Sequence, residues 1–170
     1  MCSSDLVNPI DVRFPDLASA LGEGWKQLRK DVLGEIDHRI LIQQFVNREL
    51  GDRAAAGWAG DAFALLGKGN EVAVVASTRW DAPAEAQEWF DAYSQAMRGR
   101  YTSGLQVVDQ RPNRILWRTP DGLQLLSTAG DSSLILIANT PEQIANLERA
   151  LGGSTPAAVR SFAPSITGWP

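Results

Sequence analysis

A strand hairpin followed by a helix that opens on a capping residue and an early proline occurs twice in this chain, at Ala62–Met97 and at Arg114–Leu151. Only the pattern repeats, not the residues, so the unit is read as a degenerate β-β-α repeat. Hairpins joined by tight turns give antiparallel pairing, and a helix after each hairpin needs a sheet face to cover. The expectation is an α+β fold: a mostly antiparallel sheet with two helices on one face.

In the first unit, Ala62–Leu66 and Glu71–Trp80 flank Gly67-Lys68-Gly69-Asn70, a turn signal between two strand-forming runs. Asp81 is a good N-cap, and Pro83 is tolerated in a first helical turn. Ala86, Trp89, Phe90, Tyr93 and Met97 then share one helical face, and Gly99 offers a stop. Further strands are read at Leu105–Val108, Arg114–Arg118, Leu123–Ser127 and Ser133–Ala138, with turns at Pro120-Asp121-Gly122 and Gly130-Asp131-Ser132. Thr140-Pro141-Glu142-Gln143 has the spacing of a capping box with proline at the first helical position. Ile144, Leu147 and Leu151 face inward from that helix, which Gly152-Gly153 closes.

Ahead of the repeat, residues 32–50 read as one N-terminal buried helix, with apolar residues at Leu33, Ile36, Ile40, Ile42, Val46 and Leu50, ended by Gly51-Asp52. Residues 7–31 are punctuated by Pro9, Pro15, Gly22 and Gly24 and read as an extended lead-in with one helical turn at Leu17–Leu21. The chain thus divides into an N-terminal segment 1–6, the lead-in 7–31, a single α+β domain 32–153 and a loose polar tail 154–170, from which Trp169 could pack back.

At 170 residues and 44% hydrophobic, the chain has material for one real core without a metal or disulfide. A net charge of −4 argues against binding a nucleic-acid backbone. The short basic runs at Lys26–Lys30 and Arg98–Arg100 read as solvated faces. No apolar run approaches the ~18 residues a membrane-spanning helix needs.

Catalytic apparatus is sparse. His38 is the single histidine and Cys2 the single cysteine, so neither a zinc ligand set nor a Cys–His pair is present in this sequence, and no cofactor is expected in the chain. His38 is expected at a helix surface or core edge. Leu66–Asn70 lacks the spacing of a phosphate loop. Asp61 follows a Gly-Trp-Ala-Gly turn. The structural reading is that its carboxylate accepts backbone N–H bonds and holds that turn; the functional one makes it an acid, paired with Glu35. Trp58, Trp80, Trp89 and Trp117 are expected in the core.

The opening Met1-Cys2-Ser3-Ser4-Asp5-Leu6 has two readings. Cys2 could be the lipidated first residue of a bacterial lipoprotein. Alternatively, Cys-Ser-Ser-Asp-Leu is the translation of a sequencing-adapter end and carries no biology.

Phe14-Pro15-Asp16-Leu17, Leu21–Trp25, Asp31-Val32-Leu33-Gly34-Glu35 and Ala54–Phe63 with its A-A-x-G-W-x-G-D block, followed by Thr78–Asp81, resemble the C-terminal part of an uncharacterised family of secreted or lipid-anchored zincin-like proteins. The resemblance covers residues 9–100. Ala62-Phe63 depart from it, since an Arg-Tyr pair is usual there. It implies an upstream metallopeptidase-like domain with an H-E-x-x-H helix, an extracytoplasmic location, and a structural or interface role for Gly34, Glu35, Gly57, Trp58, Gly60 and Asp61. The implied function is a non-catalytic accessory domain whose partner is that upstream domain. The competing expectations are an independent cell-surface binding module for a peptide, lipid or protein, with a pocket walled by Trp58, Trp80 or Trp117, and an enzyme using Asp61 with Glu35.

Overall fold

The structure, a computed structural model, describes residues 9–152. Both readings of residues 1–6, and the tail with Trp169, lie outside the described residues.

Among the described residues seven strands form one antiparallel sheet: β1 (Lys26–Asp31), β2 (Trp58–Lys68), β3 (Glu71–Trp80), β4 (Gln106–Arg111), β5 (Arg114–Thr119), β6 (Gly122–Ala129) and β7 (Ser132–Ala138). Their spatial order is β1-β2-β3-β7-β6-β5-β4. Two meanders, β1–β3 and β4–β7, therefore meet at the β3–β7 pair. Among the described residues five helices accompany the sheet: α1 (Leu17–Leu21), α2 (Glu35–Phe45), α3 (Arg48–Ala55), α4 (Pro83–Arg100) and α5 (Pro141–Ala150). The α+β class and the antiparallel sheet are as the sequence leads one to expect.

The placing of the two repeat helices is not. Strand register sets the two faces of the sheet, because neighbouring residues along a strand point to opposite sides. Val75 opposes Leu136, which opposes Leu125, while Leu126 opposes Ile135. The first set packs under α1 and α5, with Leu17, Trp25, Ile144 and Leu147. The second packs under α2, α3 and α4, with Ile42, Ala54, Trp80, Trp89 and Trp117. The helices α4 and α5 thus lie on opposite faces, and the sheet is the middle of three layers. The reason is legible in the strands. Leu123, Gln124, Leu125 and Leu126 are buried at four consecutive positions, three of them apolar, so each face needs its own cover.

Two local readings change. The lead-in 7–31 is not merely extended: it includes β1, whose six residues are all exposed. Lys26–Asp31 has no apolar alternation, since β1 is an edge strand held by backbone pairing to β2 alone. Its charges and its bulge at Gln27/Arg29 discourage pairing with a further strand. The basic run does lie in solvent, as read.

The predicted helix 32–50 is two helices. Asn47 takes an extended backbone and its side chain accepts from Leu50 N–H at 2.8 Å, starting α3. Hence α2 ends at Phe45, and Gly51-Asp52 lie inside α3. Nor is α2 well buried: His38 and Ile42 face the core, while Val32, Leu33, Ile36 and Ile40 are exposed. Elsewhere, α4 is capped by Ala82 rather than Asp81 and runs past Gly99. The capping box at Thr140 and Gln143 is formed.

Candidate functional site

The residues singled out from the sequence gather where α2 meets the sheet. Asp61, on β2, is 4% exposed. Its two carboxylate oxygens accept the N–H groups of Leu33 (3.0 Å) and Gly34 (3.1 Å). The structural reading of Asp61 therefore holds, but the backbone it secures is the 32–34 loop rather than its own turn. Gly34 is the N-cap of α2 at φ +86°, a left-handed conformation that only glycine adopts cheaply, and it has no side chain to cap the helix. The distant carboxylate instead holds the N-cap residue's own N–H and the one before it, and places negative charge at the helix N-terminus.

The Gly34 peptide is gripped from its other side by His38. The ring Nδ1 lies 2.9 Å from Gly34 O, and Nε2 lies 3.0 Å from Thr78 Oγ1. A carbonyl only accepts, so Nδ1 carries the proton, and in the neutral ring Nε2 accepts from the Thr78 hydroxyl. His38 is not at a helix surface: it is 4% exposed and packed against Trp80 and Trp89, with ring centroids 5.8 and 4.8 Å away. Burial pushes the imidazole below its ordinary range, against the opposing effects of the Gly34 hydrogen bond and the Asp61 and Asp37 charges. Trp80 is fixed in turn, donating Nε1–H to Ser133 Oγ at 3.0 Å. Sequence reasoning missed His38, Thr78 and Trp89 as parts of this cluster. The available signal was the spacing of His38 to Ile42, which places the histidine on the inward stripe.

The other motif residues hold neighbouring backbone. Gly57 O accepts Asp81 N–H at 2.8 Å, and the half-buried Trp58 sits opposite Trp80 across the β2–β3 ladder. Ile10 N–H donates to Ala59 O at 2.7 Å, and a methyl group on Gly60 would overlap the Ile10 backbone carbonyl. Gly60→Ala is accordingly expected to detach residues 9–12, seen as loss of exchange protection at the Ile10 amide with the β3–β7 amides unchanged. Retained protection at Ile10 would show that this contact does not hold the lead-in.

Glu35 does not join Asp61. It pairs with Arg39 at 2.5 Å on the surface of α2. With both Asp61 oxygens committed to backbone donors and Glu35 turned to a cation, the geometry offers no acid/base pair. Among the described residues no group of three His, Cys, Asp or Glu side chains could hold a metal ion, and no helix is long and apolar enough to cross a membrane.

Two open grooves flank the site. One, about 390 Å³, lies between residues 9–12 and Lys30–Val32, with Asp61 and Ala62 at its base. The other, about 440 Å³, has a floor that includes Ser77, Ser127 and Ser132, with Arg79, Phe14 and Glu148 around it. No tryptophan lines either.

Residues 22–148 match the family described as Domain of unknown function (DUF8575). The chain belongs to this family. No curated protein and no solved structure matches it. The DUF8575 match takes in β1, the Asp61–Gly34–His38 cluster and nearly all of α5, and so begins within the segment read from the sequence as a lead-in.

Proposed function

We propose that this chain is a non-catalytic accessory domain that packs on an upstream zincin-like domain of a longer, extracytoplasmic protein. The observation that carries the reading is the apolar face formed by Val32, Leu33, Ile36 and Ile40. Ile36 is 66% and Ile40 50% exposed, on the outer side of a helix whose inner side is firmly held. Isolated exposed apolar residues are ordinary, but four on one short stretch make a docking surface. The lead-in supports the direction of docking. Pro9–Val12 shares a groove with Val32, so a domain preceding Pro9 would arrive beside this face.

So small a face falls short of what two free proteins need for a stable complex. A covalently tethered partner sees it at an effective concentration of about millimolar, where a modest apolar contact is enough. The metal chemistry would reside in the upstream domain, and this chain would shape or cover its cleft. If Cys2 is native, a lipid on it would anchor the assembly. The competing reading, an independent cell-surface module, would use the 440 Å³ groove, which is lined by serines and Phe14 but by none of the tryptophans expected for it.

The reading is tested by recovering the genomic DNA upstream of codon 7. The frame is expected to continue into an H-E-x-x-H helix and a signal peptide. A frame that starts at Met1, or continues without zinc-binding spacing, overturns it.

A further inference from the structure

The docking face is carried by the first turns of α2, and those turns hang on one peptide group. The Gly34 N–H is held by Asp61 and the Gly34 carbonyl by His38, whose other nitrogen is tied to Thr78 on β3. We propose that His38 is a proton-sensitive latch: its neutral ring pins the start of α2 and the docking face to the sheet, and its protonation releases them. This inference rests on the accessory-domain reading for its purpose, though not for its mechanism.

The neutral ring satisfies both of its neighbours. A proton added at Nε2 turns that nitrogen into a donor, so the Thr78 hydroxyl must swing round to accept and loses the acceptor for its own hydrogen. The new charge is buried between two indole rings. The groups facing the ring are Asp37 on its own helix, Asp61 from β2, the uncharged Thr78 and Trp80 from β3, and the uncharged Trp89 from α4. Two carboxylates attract the added charge, but one of them is already committed to the 32–34 backbone. Relief comes most readily by letting the first turn of α2 open, because water then reaches the ring.

The sign of the effect follows from the direction in which burial moves the ring. The folded ring binds its proton less readily than the free side chain, whose value is 6.5. The open form therefore gains protons first as the pH falls, and closure weakens below that value until the folded ring also protonates. Above it the latch is fully closed.

The experiment uses the 170-residue chain, in which His38 gives the single histidine signal. Histidine proton shifts and amide exchange are followed from pH 8 to pH 4.5. The expected result is an imidazole midpoint below the free value. With it, protection of the Ile36–Ile42 amides, corrected for intrinsic rates, falls by up to about tenfold per pH unit while the β3–β7 amides keep theirs. Asp37→Asn, at an exposed position, should move the midpoint further down. His38→Gln should remove the pH dependence of α2, and where that variant fails to fold, the wild-type and Asp37→Asn titrations decide alone. An ordinary midpoint, or loss of protection shared equally by sheet and helix, overturns the latch. These readouts involve no partner, so the latch can hold while the docking reading fails, and the reverse.

Discussion

Asp61→Ala is expected to lower the unfolding free energy by about 2 kcal/mol, because it strands two partly buried backbone donors that bonded to a charged acceptor. The Leu33 and Gly34 N–H groups have no other partner in the described hydrogen bonds, and Gly34 cannot supply a side-chain cap of its own. Asp61→Asn should cost less, about 1 kcal/mol, since its carbonyl can keep one donor while its amide opposes the other. Urea unfolding should show the midpoint falling in that order with little change in slope, the mark of altered stability rather than altered compactness. Exchange at the Leu33 and Gly34 amides should rise before that of the sheet. A loss under about 0.5 kcal/mol for alanine would mean that water replaces the carboxylate and that the loop is not held this way. Both substitutions also remove a negative charge facing His38, so the histidine midpoint should drop further in any variant that stays folded.

The parts of the fold that were legible in the sequence share a cause: local chemistry that long-range packing had no reason to override. The strand Glu71–Trp80 and the capping box at Thr140 stand where the residues place them, and the hairpin turn falls on Gly69-Asn70, the second half of the four residues read as turn, because β2 runs on to Lys68. The Asp61 carboxylate accepts backbone N–H groups, as read, but on the 32–34 loop and not on the turn before it. What escaped was decided by partners far along the chain. In β1 there is no apolar signal, because an edge strand needs only the β2 backbone. Residues 32–50 look continuous because Ile42, Val46 and Leu50 keep helical spacing across the break, and the Asn47 cap is a single side chain against that trend. The side on which α5 packs depends on strand register, which pattern alone does not give. For His38 the sequence left helix surface and core edge both open. The core side is decided by Gly34 O and Thr78 Oγ1, which lie where both ring nitrogens need them, and Thr78 is forty residues away.

The misreading of α2 bears most on function. Two apolar stripes run along it, and a sequence rich in apolar residues on both sides normally means a helix buried all round. Here only the His38–Ile42 stripe is covered, and Ile36 and Ile40 stay exposed. The double substitution Ile36→Asp/Ile40→Asp is the sharpest probe of that surplus. Both side chains are exposed, so stability should change by no more than about 1 kcal/mol, and an acid at position 36 even suits the first turn of a helix. Association should suffer far more. Two exposed isoleucines that become covered contribute roughly 1 to 1.5 kcal/mol each to a contact, and a charge in their place must be desolvated, so docking should weaken about 100-fold or more. In the longer protein that the accessory-domain reading proposes, the comparison is amide exchange over Val32–Ile40 and the rate of proteolysis between the two domains. Extra protection of this stretch relative to the 170-residue chain, abolished by the double variant, is the expected result. Equal protection with and without the upstream domain would leave the apolar face without a partner there and sink the accessory reading. The Asp61 anchor would stand regardless, because its energetics depend only on contacts within this domain.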